Sequence, residues 1–436
     1  MRSFHLAAAL CALGLAGSAS AQQAAPPSLF PIPLPGTTAP AAYPVSQTAA
    51  TSSWYDNGSS PAGELVVPSD KHIQQAPPIV SPEGDWNSCT SGVGCASGCG
   101  PACCPGKYVY ANGLVMTHLK NNGFVTSIDS GTGSPELFFC DPEYGNLWHG
   151  GFEIGTGCCF GGCCDRGFEV VYWGLYPAEG TITATGTLDS LIDFGDIDFG
   201  GGDGNAIFDG AAAHRVGFDQ GFHSVEVNLI GNYGGPLGCG RVGCCGTGCG
   251  ERWGFGWLAG FRYINFTEDW LFSADPTDTV FDGDADELNY EVDLQNNLIG
   301  FQMGAGFDYC LTNRFQTYII GKVGIYGNDI QMQQRIYGAS GNAVINNGPF
   351  VGEDYDISAS DFDLAMSGQI DLGGRYAITE NWSVDAGWRV LALSGVAITE
   401  DNVVQTNFQN VDGTNDIQTA GSLLLHGGYV GLTYAW

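Results

Sequence analysis

Sixteen cysteines hold most of the reactive chemistry in this chain, and thirteen of them stand in three tight groups. The first is Cys89, Cys95, Cys99, Cys103 and Cys104; the second is CCFGGCC, with Cys158, Cys159, Cys163 and Cys164; the third is CGRVGCCGTGC, with Cys239, Cys244, Cys245 and Cys249. Cys310, Cys140 and Cys11 stand apart. Spacings inside the groups are vicinal or C-x3-C or longer, no C-x2-C occurs, and no histidine lies within a group, which fits structural zinc poorly. In an exported chain such groups read as disulfides. Zinc stays the alternative.

The remaining reactive residues make weaker patterns. His72, His118, His149, His214, His223 and His426 are scattered, and neither H-E-x-x-H nor G-x-S-x-G occurs, so no enzyme is expected. Asp282-Gly283-Asp284-Ala285-Asp286 resembles the start of a calcium loop. Glu287 stands where that loop needs Gly, however, and its twelfth position is Asp293. The segment Phe194 to Gly210 is equally acidic and glycine-rich. No cofactor is expected, with calcium in these loops as the weak alternative.

Charge and composition say where such residues sit. With 46 acidic and 14 basic residues the net charge is −32, which excludes nucleic acid as a partner. Only 14% of residues are charged and 67 are Gly, so the surface is not that of an ordinary soluble domain. Residues 1–21 have Arg2, an apolar run and a terminal Ala19-Ser20-Ala21, as a secretory signal does. Residues 22–88 are rich in Pro, Ala and Ser without a period and read as a disordered linker. Residues 89–106 form a Cys-rich segment.

From 107 to 436 the texture changes. Segments of about 10 to 16 residues alternate apolar or aromatic residues with Gly and a few charges, as a lipid-facing wall around a polar lumen requires. Trp253 to Phe266 is one example: Trp253, Phe255, Trp257 and Phe261 share a face opposite Gly254, Gly256, Gly260 and Arg262. Trp382 to Ile398 is another, with Trp388 and Val390 on the lipid side. The fold class is therefore all-β, a transmembrane antiparallel β-barrel of about ten strands. Those strands are Tyr108–Leu119, Asn146–Gly157, Arg166–Tyr176, Arg215–Tyr233, Arg252–Phe266, Leu288–Cys310, Arg314–Gln331, Phe362–Ile378, Trp382–Ile398 and Gly421–Trp436. The sixth changes pattern between Gln295 and Ile299, which predicts a bulge or a break. Phe124 to Phe139 could hide a further hairpin, and twelve strands is the competing count.

The chain ends YVGLTYAW, with Val430, Leu432, Tyr434 and Trp436 on one face. This resembles the terminal-aromatic strand that outer-membrane barrels present to their assembly machinery. With GGFEIGTG and RGFEVVYWGLYP beside Cys-rich turns, the region is similar to the β-barrel porin family of planctomycete bacteria. The resemblance implies an outer-membrane location, partnership with the lipid bilayer and the assembly machinery, and a periplasmic position for Trp436 and the linker. It carries over no site residue. The oligomeric state is unread.

Given that orientation, strand parity puts the long connections outside and the short ones in the periplasm, as in bacterial barrels. Fourteen cysteines, the three groups plus Cys310, then fall on the periplasmic side, where disulfides would staple the lower mouth; Cys140 falls in an outer loop. Segments Glu179–Ala213, Thr267–Glu287, Ile336–Asp361 and Thr399–Ala420 hold 23 acidic residues and no Lys or Arg. Parity also places Glu153, Glu226, Glu291, Asp293, Asp308, Asp363, Asp371 and Asp385 in the lumen against Arg262, Lys322, Arg375 and Arg389. If the lumen is open, the chain is a porin-like passage for small solutes or cations. If these charges pair and plug it, the chain is a structural or adhesive barrel with acidic surface loops. A soluble secreted β-protein is the third reading.

Overall fold

The computed structural model describes residues 107–118, 123–140, 148–160, 166–176, 180–232, 253–312, 314–379 and 381–436. The expected signal, linker and Cys-rich segments lie outside the described residues, as do the cysteines of 239–249. The chain divides into two units, and the second, Ala16–Thr90, is likewise outside them.

Ten strands form the wall: β1 (Lys107–His118), β2 (Trp148–Phe160), β3 (Arg166–Leu175), β4 (Ala211–Asn232), β5 (Trp253–Asp275), β6 (Leu288–Cys310), β7 (Phe315–Gly338), β8 (Asp356–Ala377), β9 (Trp382–Val396) and β10 (Gly421–Ala435). Each pairs antiparallel with its neighbour in the chain, and β10 pairs with β1, so the sheet closes and no edge is left. At the β10–β1 seam Lys107 N donates to Trp436 O at 3.1 Å and Trp436 N to Lys107 O at 2.9 Å. The Phe124–Phe139 hairpin exists, as Val125–Asp129 paired with Pro135–Phe138, but it is no part of the wall. It joins Gly180–Ser190, a strand that branches from the top of β4.

Polarity along the strands inverts partway up. On β5 the outward side chains run Trp253, Phe255, Trp257, Ala259, Phe261, Tyr263 and then Asn265, Thr267, Asp269. The inward ones run Gly254, Gly256, Leu258, Gly260, Arg262 and then Ile264, Phe266, Glu268, Trp270, Phe272. The lower part is a lipid-facing wall round a polar interior; the upper part is a water-facing wall round a mainly apolar one that also buries Glu268 and His214. On β6 the same change falls between Ile299 and Asn297, which stand opposite Tyr263 and Asn265. The pairing of β6 with both neighbours runs without a break through this point. The expected bulge at Gln295–Ile299 is therefore absent: the pattern changes because the strand leaves lipid, not because its register slips.

Above the lipid band the connections fold together into a cap. Phe194, Phe208 and Phe408, from two different connections, stack at 3.9 and 5.2 Å between ring centroids, and Tyr290 of β6 meets two of them edge-on. Trp270 of β5 stacks on Phe139 at 5.2 Å and donates its indole N–H to the Phe139 carbonyl at 3.1 Å. These rings belong to one buried apolar cluster, which fills the upper barrel.

Candidate functional site

Inside the lipid band, the alternation that points aromatics outward necessarily points the intervening charges at the axis. Three bases and three acids meet there in a middle tier. Glu226 of β4 receives Lys322 Nζ of β7 at 2.9 Å and lies 3.5 Å from Arg262 Nε of β5. Arg262 Nη1 reaches Gln369 Oε1 of β8 at 3.0 Å, and its Nε donates to Ser224 Oγ at 2.7 Å. Arg389 of β9 donates from Nη1 to Glu153 of β2 and from Nε to Asp371 of β8, both at 2.6 Å. Trp173 of β3 lies between the two guanidinium groups, with ring-to-Cζ distances of 5.7 and 5.0 Å. Lys322–Glu226, Arg262–Gln369 and Arg389–Glu153 each join strands three steps apart round the wall. All the charged members of this tier are buried. The network is a cross-brace of the lumen, with few polar groups left to water.

A lower tier lies nearer the Trp436 end. Arg375 Nε meets Asp385 Oδ1 at 2.5 Å, and Thr433 Oγ1 donates to Asp385 Oδ2 at 2.7 Å. Tyr318 and Tyr429 join hydroxyls at 2.8 Å along the wall over the paired glycines Gly373 and Gly387, and Tyr108 donates to Glu169 Oε2 at 2.6 Å. Asp308 is 2% exposed, and its Oδ1 has no hydrogen-bond partner.

Nine of the twelve lumen candidates thus face inward within the two tiers: Glu153, Glu226, Arg262, Asp308, Lys322, Asp371, Arg375, Asp385 and Arg389. Asp363 is on the inner face of β8 but higher, where Thr419 donates to it. Glu291 and Asp293 face outward, against expectation. Without a bulge every odd-numbered residue of β6 points out, so these two lie above the lipid, Glu291 paired with Arg335 at 2.8 Å. Asn112, Glu169, Asn228, Gln302 and Gln369 were not anticipated. Four are uncharged, and a search for acids and bases passes them by; Glu169 shares its parity with Val171 and Trp173, which look like lipid-facing residues.

Trp257, Phe261, Trp388 and Val390 stand on the outward face, as do Val430, Leu432, Tyr434 and Trp436. Cys310 is disulfide-bonded. Cys140 is buried, and Cys158, expected among the disulfides, is a free thiol exposed on the outer face of β2. Strand alternation, rather than the turn, sets the direction of Cys158. The calcium-like loop closes on itself: Glu287 Oε1 accepts from the backbone N–H groups of Asp282, Gly283 and Asp284 at 2.8, 2.9 and 3.2 Å. Among the described residues no three His, Cys, Asp or Glu side chains gather closely enough to hold a metal ion.

The family described as putative beta barrel porin-7 matches residues 129–436, well over half the chain. No curated protein matches. Solved structures with some likeness include the outer membrane protease OmpT of Escherichia coli, at 11% identity over 77% of this chain and 98% of that one, with a TM-score of 0.34. The toluene transporter TodX of P. putida has 9% identity over 76% and 90%, with a TM-score of 0.26. CarO of Acinetobacter baumannii has 13% identity over 74% and 97%, with a TM-score of 0.21. Likenesses this weak carry no argument. The family description names no group of bacteria, so a planctomycete source stays an expectation of the sequence. The closed ten-strand wall, its lipid-facing band and the match over 129–436 agree: the chain is an outer-membrane β-barrel and belongs to the putative beta barrel porin-7 family.

Proposed function

We propose that this barrel is a structural, non-catalytic element of the outer membrane whose lumen is closed and whose acidic cap is its working surface. One observation carries the reading: Arg389 ties Glu153 to Asp371 across the lumen beside the Glu226–Arg262–Lys322 cluster, and all six side chains are buried. Open aqueous channels usually need more strands than ten, while small barrels fill with side chains. The apolar cluster under the cap adds a second, dry barrier above the charges. In this reading the cap faces outward, the Trp436 end and the linker face the periplasm, and the terminal aromatic strand serves assembly.

The family description favours a second reading, passage of small solutes or cations with the middle tier as a gate. Planar bilayers separate the two. Folded protein in a closed state gives no conductance steps. Steps with a reversal potential favouring cations, weakening toward 1 M salt where the screening length falls to about 3 Å, support passage and overturn the closed reading.

A further inference from the structure

The lipid face of the wall is not uniform at its upper edge. His426 is as far along β10 from Trp436 as Tyr263, the last apolar outward residue of β5, is along β5 from Trp253. At this height one rung of the register runs Val390, His426, Thr117 and Trp148 across β9, β10, β1 and β2, and the rung below it runs Trp388, Gly428, Val115 and Gly150. Two tryptophans thus stand at opposite ends of adjacent rungs, and their rings lean toward each other over small residues. Trp388 lies across Gly428, with ring carbons 3.7 Å from where a Cβ would stand. Trp148 spans Thr117 to reach His426. The ring centroids are 6.2 Å apart for Trp148 and Trp388, 6.2 Å for Trp148 and His426, and 5.8 Å for Trp388 and His426. Trp148 is steep to both partners, at 76° and 89°.

Below the rings the outer surface is hollow. A Cβ at Gly150 would have nothing within 4 Å, and one at Gly113 would meet only the Val430 carbonyl oxygen, at 3.8 Å. Val115 is the half-exposed floor between Gly428 and Gly150, and Val430 and Phe152, which flank Gly113, wall the trough. The floor of the ring cluster is polar instead: Thr117 is 5% exposed, and its hydroxyl has no hydrogen-bond partner. A buried hydroxyl in that state costs free energy until a partner meets it.

We propose that this trough holds one lipid of the leaflet on the cap side, its quaternary ammonium seated on the Trp148, Trp388 and His426 rings, its phosphate on the Thr117 hydroxyl, and one acyl chain along Gly150, Val115 and Gly113. Converging aromatic rings attract a cation through their faces, and a quaternary ammonium, with no N–H to satisfy, suits such a site better than a primary amine. Charge points the same way. Four of the connections above this edge, Glu179–Ala213, Thr267–Glu287, Ile336–Asp361 and Thr399–Ala420, hold 23 acidic residues and no Lys or Arg, which disfavours a lipid of net negative charge. Trp148 is half exposed and turns aside from Thr117 as the phosphate enters, a side-chain change of the kind common on binding. The site is on the lipid face, so it holds whether or not the lumen conducts.

Lipid retention by the folded full chain tests this. Protein in maltoside is equilibrated with an equimolar mixture of phosphatidylcholine, phosphatidylethanolamine and phosphatidylglycerol of identical acyl chains, then washed, and the retained lipid is counted by mass spectrometry. About one phosphatidylcholine per barrel is expected, held about tenfold more tightly than either other lipid. Trp388→Leu and His426→Leu are expected to abolish the headgroup preference, and Gly150→Leu, which fills the trough, to lower retention of all three lipids. Trp253→Leu, on the same face at the opposite edge of the band, is expected to change nothing. Heat-modifiable gel mobility confirms that each variant is folded, and either ring variant alone suffices. The proposal is overturned if wild-type protein retains the three lipids alike, if both folded ring variants keep the preference, or if Trp253→Leu removes it as well. It is also overturned if a second copy covers the patch, seen as a lipid-free dimer that Trp388→Leu separates.

Discussion

Arg389 of β9 and Glu153 of β2 are joined at 2.6 Å across the lumen, although three steps of the wall separate their strands. The same guanidinium holds Asp371, so one cation neutralises two buried acids. Arg389→Ala strands both carboxylates and is expected to destabilise the barrel by about 3–5 kcal/mol. Replacing all three together by Met, Gln and Asn removes the charges along with the bonds, and is expected to cost far less than the single change. Urea unfolding from lipid vesicles, followed by tryptophan fluorescence, measures both. A single variant as stable as wild type would show that the brace carries no load.

The inversion of polarity on β6 predicts opposite outcomes at two positions of one face. Met303 points into the lipid band and Asp293 points outward above it, on the same unbroken register. Met303→Arg is expected to cost about 2–4 kcal/mol on folding into vesicles, the penalty for a cation near mid-bilayer. Asp293→Arg is expected to change assembly little. Equal effects would restore the bulge that the pattern at Gln295–Ile299 suggested.

Inside the wall, several aromatic rings lie flat on a neighbouring strand where only Gly leaves space. Gly387 is one case: a Cβ there would stand 2.4 Å from the Leu372 carbonyl oxygen and 2.5 Å from the Tyr429 hydroxyl oxygen, and that hydroxyl meets Tyr318 over the Gly373–Gly387 pair. Gly387→Ala is expected to push Tyr429 away and cost about 1–3 kcal/mol. Adding Tyr429→Phe removes one of the two colliding oxygens and leaves the Leu372 carbonyl in place, so it is expected to recover only part of the loss. A double-mutant cycle in unfolding free energy checks it, and additive effects would refute the contact.

Why the wall was readable and the cap was not follows from the solvent on each side. Between Trp253 and Tyr263, lipid outside and a polar lumen inside impose one rule on every second residue, and the sequence states it plainly. Above Asn265 and Asn297 water replaces lipid and loops replace the lumen, so the same parity carries the opposite polarity and looks like a slip. Phe194, Phe208 and Phe408 obey no local period, because connections far apart in the chain bring them together. Glu153, Arg389 and Asp371 could each be placed inward by parity, but nothing in the spacing of 153, 371 and 389 said that they would meet. That depends on the stagger of ten strands round the closed wall, which only the whole ladder fixes.

His214 gives the cap a response to acid. It lies above the lipid band, on the inner face of β4 beneath the turn Asn205–Phe208, and is fully buried. Its Nε2 donates to the Phe208 carbonyl at 2.9 Å, and Ser127 Oγ at 2.7 Å is placed to donate to Nδ1, which describes a neutral ring. Burial pushes its pKa down from 6.5 to about 4. The sign follows: the unfolded cap binds a proton at higher pH than the folded cap does, so stability is intact above about pH 6.5 and falls as the pH drops toward about 4. His214→Gln keeps a donor and an acceptor without the titration. Hydrogen exchange over 124–139 and 194–214, corrected for the intrinsic pH dependence of exchange, is expected to quicken between pH 7 and pH 5 in wild type more than in the variant. Identical pH profiles in the two proteins would remove His214 as the cause, and slower exchange at pH 5 would reverse the sign.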